Sequence, residues 1–149
     1  MPDQILVSAD RIWLDQDWIV RSVQGSYWGA YLSREQILAA LANSVAYGAY
    51  LPSPAAKLPV PGRQVGFVRC VTDSAIFSSI TDVLVEEDFR GQGIGSRLMD
   101  EVIRDPRIAN TICILQARPA AQLWYMRHWG FKLVDSRSGI MQRGPNGLA

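Results

Sequence analysis

The sequence predicts one domain of mixed α/β, or α+β, class. Three observations carry this. The first half is dominated by short apolar runs of strand character. From Val83 onward the order changes to strand, helix, strand, helix, strand. And 149 residues, 48% of them apolar, suffice for one ordinary core and hardly for two, so 1–149 is expected to be a single domain.

Each element has its own signal. The run 4–8 reads as a first strand. Leu14, Trp18, Ile19 and Val23 fall at helical spacing, with Gly25 as a stop. Ser33-Arg34-Glu35-Gln36 has the form of a capping box, in which the serine hydroxyl takes the amide three residues on and the glutamine reaches back. Ile37, Leu38 and Leu41 give that second helix its apolar stripe, and it should end near Asn43. A strand over 45–51 is followed by 52–62, whose four prolines cannot continue it. This is a long connection inside the domain, since what precedes it is too short to be a domain. Strands over 64–71 and 76–85 follow, joined at Thr72-Asp73-Ser74. The turn 86–95 leads into a helix over 93–104, with Ile94, Leu98 and Val102 four apart, stopped at Asp105-Pro106. A buried strand is expected at 112–115. A helix at 119–129 starts on Pro119 and is closed by Gly130, and strands at 131–134 and 138–143 finish the chain.

Composition excludes several functions. Fifteen basic and 14 acidic residues leave a formal net charge of +1, no footprint for nucleic acid or an anionic membrane. Cys70 and Cys113 lie in apolar strand-like runs and are expected to be buried free thiols of a reducing compartment. A lone histidine, His128, and no cysteine pair at ligand spacing argue against a structural zinc site. Met1-Pro2-Asp3-Gln4 lacks the pattern of a secretory leader. The uncharged stretch 36–56 could span a bilayer by length, but Gln36, Asn43, Ser44, Gly48, Pro52, Ser53 and Pro54 interrupt it. The expectation is a soluble, cytoplasmic protein.

The segment that carries chemistry is Arg90-Gly91-Gln92-Gly93-Ile94-Gly95-Ser96, between a strand end and a helix start. The first amides of a helix lack partners, and that end of its dipole is positive. Glycines at alternate positions let the backbone turn tightly and a bulky anion approach, and Arg90 adds a charge that can pair with phosphate. The segment therefore reads as a phosphate-binding loop, suited to a pyrophosphate. It is not a Walker loop, because Gly95 is followed by Ser96 with no lysine nearby, and it lacks the G-x-G-x-x-G spacing of dinucleotide-binding folds.

This segment resembles the pyrophosphate loop of the GNAT (N-acetyltransferase) superfamily, of form Q/R-x-x-G-x-G/A. Arg90, Gly93 and Gly95 match it, and Gly91 and Ile94 match its commoner version. Val83, Leu84 and Val85 are similar to the strand whose backbone lies along pantetheine, and 115–117 to the next strand, which splays away to open a wedge. Tyr125 to Phe131 (YMRHWGF) resembles the closing Y-x-x-x-G-F, though Met126 stands four residues before Gly130 and Tyr125 one earlier. Leu14-Asp15-Gln16-Asp17-Trp18 and Ser26-Tyr27-Trp28 are similar to the early motifs of one subfamily, in which the connection of the prolines is usually shorter.

The resemblance implies a central mixed, mostly antiparallel sheet of six to seven strands flanked by about four helices. It implies an acetyltransferase that moves acetyl from acetyl-CoA to a small-molecule or peptide amine by direct attack in a ternary complex, working as a monomer or homodimer. Val83, Leu84, Val85 and Arg90, Gly91, Gln92, Gly93, Ile94, Gly95, Ser96 would then hold the acyl-CoA, and the Val85 N–H would stabilise the oxyanion. Tyr125 would be the acid for the departing thiolate, and Tyr27, Trp28 and Tyr31 would line the acceptor side. Asp82, three residues before Val85 with Ile80 and Leu84 as period-2 mates, is a candidate base. A hydrogen-bonded strand carboxylate is its plainer reading. The alternative for the whole chain is a CoA-binding sensor or regulatory module without turnover, and a nucleotide-binding switch is the third possibility.

Overall fold

The computed structural model describes residues 4–135, 137, 139–142 and 144. The chain divides into two compact units, Met1–Leu115 and Gln116–Ala149.

The first unit holds a five-stranded sheet in the order β1-β2-β3-β4-β5, from β1 (Leu6–Ser8), β2 (Val45–Pro52), β3 (Pro61–Thr72), β4 (Phe77–Val85) and β5 (Ile112–Ile114). The first four strands are antiparallel, and β5 joins β4 in parallel. Helices α1 (Gln16–Gln24), α2 (Arg34–Ala42) and α3 (Ile94–Arg104) complete the unit. Asp15 caps α1 through Oδ1, which accepts the Trp18 amide at 2.9 Å. The capping box of α2 is present: the Gln36 amide donates to Ser33 Oγ at 3.1 Å and the Ser33 amide to Gln36 Oε1 at 2.9 Å. The β3–β4 turn is tied by Asp73 Oδ1, which accepts the amides of Ala75, Ile76 and Phe77.

The two faces of the sheet bury different helices. Trp18, Ile19, Val20 and Val23 of α1 and Ile37 and Leu41 of α2 form one core cluster with Phe67 of β3. The neighbouring residue, Gly66, faces the other way. A Cβ there would lie 3.1 Å from Leu98 and 3.2 Å from Ile94, so its absence lets α3 sit close to the sheet. The buried stripe of α3 is Ile94, Leu98, Met99 and Val102.

The second unit contains α4 (Pro119–Trp129), closed by Gly130 in the left-handed conformation as expected. Its aromatic side chains cluster: Trp124 meets Tyr125 and Trp129 at 4.7 Å each, and Tyr125 meets Phe131 at 6.1 Å.

Several expectations need correction. Among the described residues the sheet has five strands, not six to seven. Residues 131–134 pair with no strand among the described residues. Of 138–143, Ser138 and Arg143 lie outside the described residues and 139–142 carry no ladder. An apolar run becomes a strand only where a neighbour completes its hydrogen bonds. Phe131, Leu133 and Val134 offered composition without a clean alternation. The strand near 112–115 is three residues long and is not buried: Ile112 is 67% exposed, and among the described residues β5 pairs with β4 alone. The proline-rich connection shrinks to 53–60, since Pro52 and Pro61 pair across the hairpin and the Ser53 amide donates to the Val60 carbonyl at 2.8 Å. Finally, Cys70 is buried but Cys113 only half-buried.

Candidate functional site

The glycine loop and the start of α3 form a cradle of backbone donors. Gly91 and Gly93 have φ of +74° and +81°, a region that glycine enters without steric cost. A Cβ at either would meet nothing within 4 Å. Gly93 caps α3 with no side-chain bond of its own, and the first intrahelical bond runs from the Arg97 amide to the Gly93 carbonyl at 3.1 Å. The amides of Ile94, Gly95 and Ser96 precede that bond and have no intrahelical acceptor. Ile94 is buried and anchors this end to the core, while Gly91 and Gly93 are exposed. The Gln92 side chain donates to the Asp88 carbonyl at 3.4 Å, within the loop. A positive helix end with three amides that lack intrahelical acceptors and with no side-chain cap bond fits the pyrophosphate of an acyl-CoA.

Beside it, β4 has an edge that no strand among the described residues pairs beyond Ser79. The parallel ladder with β5 covers Phe77, Ser78 and Ser79 and stops there. The Glu86 amide donates to the Val65 carbonyl of β3 at 2.9 Å. Peptide groups alternate in direction along a strand, so the N–H and C=O of Val85 point away from β3, toward that edge. Arg90 confirms the direction: its Nε donates to the Val85 carbonyl at 3.0 Å. Arg90 thus bridges the strand end to the glycine loop, and its exposed guanidinium keeps further donors beyond that bond. Leu84 and Val85 pair with β3 on their other side, through Phe67↔Leu84 and Gly66↔Val85, and Val83 lies in the irregularity just before them.

Asp82 sits where β4 breaks its alternation. Leu84 pairs with Phe67 and Ile80 with Cys70, yet Phe67 and Cys70 are three residues apart on β3 and so point to opposite faces. The extra residue on β4 is a bulge, with Asp82 at φ +54°. Ile80 and Leu84 are therefore not both its period-2 mates, which corrects the alternation on which its orientation was expected to rest. The bulge turns Asp82 to the α1–α2 face. There Trp28 Nε1 donates to Oδ1 at 2.7 Å and Arg69 Nε to Oδ2 at 2.7 Å. The carboxylate is buried, and both its oxygens are engaged.

Trp28 is half-buried against Tyr27, edge-to-face at 4.9 Å, and Tyr27 and Tyr31 are 57% and 80% exposed. All three lie in the connection between α1 and α2. In the second unit, α4 ends on an ordinary bond from the Gly130 amide to the Met126 carbonyl at 3.2 Å. The offset of Tyr125 from the family pattern is thus not absorbed at the helix end, and Tyr125 stands about 100° around the helix from Met126. His128 Nδ1 lies 2.8 Å from the Trp124 carbonyl, so the imidazole is committed to the last turn. Burial pushes the Cys113 thiol up to about 11, the mark of an inert thiol. No group of three or more metal-ligating side chains occurs, and no helix is long and apolar enough to cross a membrane, both among the described residues.

Arg69 and Ser44 were missed in the sequence. Arg69 Nη1 donates to Ser44 Oγ at 3.0 Å, extending the contact network of Asp82 to the end of α2. A signal existed: Arg69 is a lone charge inside the apolar run Val65 to Val71, and such a charge calls for a buried partner on an adjacent strand.

Comparison with known proteins agrees with this geometry. Residues 45–133, more than half of the chain, match the family described as the acetyltransferase (GNAT) domain. A protein named uncharacterized N-acetyltransferase ycf52 from Gracilaria tenuistipitata var. liui is 38% identical over 69 residues, 45% of this chain and 37% of that protein. Its namesake from Porphyra purpurea is 37% identical over 79 residues, 52% of this chain and 45% of that protein. The matched part thus spans less than half the length of these relatives. Among solved structures, one named for the GNAT family from Xanthomonas campestris pv. campestris superposes with a TM-score of 0.81 at 28% identity, covering 97% of this chain and 95% of that one. A Staphylococcus aureus structure superposes at 0.70 with 20% identity, over 95% and 99% of the two chains, and shows the fold alone. The glycine loop, the edge of β4 beyond Ser79 and the matched span together place this chain in the GNAT acetyltransferase family.

Proposed function

We propose that this chain moves an acetyl group from acetyl-CoA to an amine, by direct attack within a ternary complex. The observation that carries the proposal is the uncapped start of α3 lying next in sequence to a strand whose Val85 peptide points away from β3. Acetyl-CoA, when bound, supplies the activated thioester. Arg90, Gly91, Gln92, Gly93, Ile94, Gly95 and Ser96 bind its pyrophosphate, and the backbone of Val83, Leu84 and Val85 takes its pantetheine arm. The Val85 N–H receives the negative charge that develops on a carbonyl oxygen under attack, a term worth about 3 kcal/mol for one well-placed donor. Tyr27, Trp28 and Tyr31 line the acceptor side, which takes a small-molecule or peptide amine. The Tyr125 hydroxyl donates a proton to the departing thiolate, a role that rests on the family pattern. The attacking amine must lose a proton. Both oxygens of Asp82 already accept hydrogen bonds, which favours a water chain over that carboxylate for this step.

The test is calorimetric titration of acetyl-CoA, CoA and ATP into the wild-type chain and Gly93→Asp. Micromolar binding of acetyl-CoA, weakened at least tenfold by the new carboxylate and unmatched by ATP, is the expected result. Binding followed by acetylation of amines that falls in Tyr125→Phe supports the enzyme. Binding without transfer to any amine marks a CoA sensor instead, a reading favoured by the Tyr125 offset. No binding by folded protein overturns both.

A further inference from the structure

The polar contacts around Asp82 form one continuous chain through four elements. Trp28, in the α1–α2 connection, donates to one carboxylate oxygen, and Arg69, on β3, donates to the other. Arg69 passes on to Ser44 Oγ, and that hydroxyl donates to the Ala40 carbonyl of α2 at 2.6 Å. Arg11 reaches the same end of α2, donating to the Ser44 carbonyl at 3.0 Å and to the Leu41 carbonyl. The segments on both sides of α2 are thus fastened to one buried carboxylate, which sits on the bulge three residues before Val85. The pair is well sheltered, with the Arg69 and Asp82 side chains 17% and 7% exposed. Losing Arg69 would leave the buried carboxylate without its counter-charge, and losing Trp28 would take the indole donor from one of its oxygens. The connection also lies tight against α1: a Cβ on Gly29 would fall 2.4 Å from the Val23 carbonyl. It therefore has little freedom to find a substitute for the Trp28 bond.

We propose that Asp82 is a positioning residue rather than the base: it fixes the α1–α2 connection, and with it Tyr27, Trp28 and Tyr31, at a set register against the strand end that carries Val85. The bulge is what makes this possible. Alternation continued from Ile80, which pairs with Cys70, would have put Asp82 on the opposite face of the sheet, away from Trp28. This inference deepens the proposed function, since it assigns the geometry of the acceptor side. Its physical content, that one carboxylate holds this connection, stands without turnover.

The test uses the full chain as wild type, Trp28→Phe, Asp82→Asn and Asp82→Ala. Hydrogen exchange over 25–33 is the first readout. The loss of one hydrogen bond to a charged group predicts a fall in protection of at least ~10-fold in Trp28→Phe and Asp82→Ala, and a smaller fall in Asp82→Asn, which keeps an acceptor for the indole. Trp28→Phe keeps an aromatic ring in place should Asp82→Ala fail to fold. Acetyl-CoA affinity, measured in parallel, should stay within about 2-fold of wild type, and its absence in every protein would sink the proposed function without touching the exchange result. Acetylation of spermidine and of a lysine-containing tetrapeptide is the second readout. A KM for the amine raised ~10-fold with kcat nearly unchanged supports the positioning role. Unaltered exchange over 25–33 overturns the proposal, as does a kcat collapse in Asp82→Asn at constant KM together with loss of the acidic limb of the pH profile. Should neither amine be acetylated by the wild type, the exchange result decides alone.

Discussion

At the scale of single residues, buried charges show most clearly what this sequence conceals and what it reveals. Asp105, just past α3, accepts from the Tyr47 hydroxyl at 2.7 Å and from both Nε and Nη2 of Arg107. The Arg107 guanidinium holds its carboxyl well below the usual carboxylate range, against the opposing effect of burial, and the Tyr47 bond adds to the lowering. Burial, and after it the same contact, push the Tyr47 phenol up to about 12. A carboxyl depressed in the fold stabilises it above the unfolded-state pKa near 4 and loses that contribution as pH falls through the folded value. Asp105→Asn should therefore cost about 1.5–3 kcal/mol near pH 7, the range for hydrogen bonds to a charged group. The gap between the two urea midpoints should narrow steadily below about pH 4. A constant gap down to pH 2.5 would show that the ionised carboxylate is not what matters. From sequence, Asp105 read only as a residue before proline. Its partner Tyr47 lies 58 positions away, and no local pattern joins the two. Arg69 and Asp82 are alike in this respect: each is visible as a charge in an apolar run, but their pairing depends on a bulge.

At the scale of elements, what was legible is what local chemistry dictates. The capping box at Ser33, the stop at Asn43, and the Pro119 and Gly130 that bracket α4 were readable because each signal acts within four residues. Ser33→Ala should lower stability by about 1 kcal/mol, with Ser33→Asp restoring most of it. A thermal melt of the three proteins checks this, and equal midpoints would show α2 to be held by its tertiary ties alone. The strands were less legible. Period-2 reading assumes that alternation runs unbroken, and β4 breaks it at Asp82, so the face assigned to every residue before the bulge is reversed relative to those after it. Residues 131–134 fail for another reason: strand character describes a segment, whereas a strand is a property of two.

At the scale of the whole molecule, the glycine loop and the matched span agree on the family, and the sequence alone was enough to expect it. The loop was legible because its function is written in backbone freedom, and only glycine supplies that. The cluster around Asp82 was not, because it is built from side chains on β3, β4 and the α1–α2 connection that converge only in the fold. The sheet unit carries the uncapped end of α3, so saturation with acetyl-CoA should stabilise that unit by mass action. At 100 times Kd the gain is about 2.7 kcal/mol, a rise in Tm of roughly 5–10 °C for a domain of this size. Differential scanning with acetyl-CoA and with ATP reads this directly, and an equal shift with ATP would mean that the loop does not discriminate a CoA ester.

The open space around Gly91 and Gly93 has a stereochemical consequence. Because a Cβ at either position touches nothing within 4 Å, volume is not what reserves them for glycine. Handedness is: the positive φ that strains an L-residue is the favoured region of its mirror image. A chain assembled by chemical ligation with D-alanine at Gly91 would keep the turn, where L-alanine would bend it away. Among the twenty genetically encoded amino acids, glycine is the only one with no hand to oppose the loop.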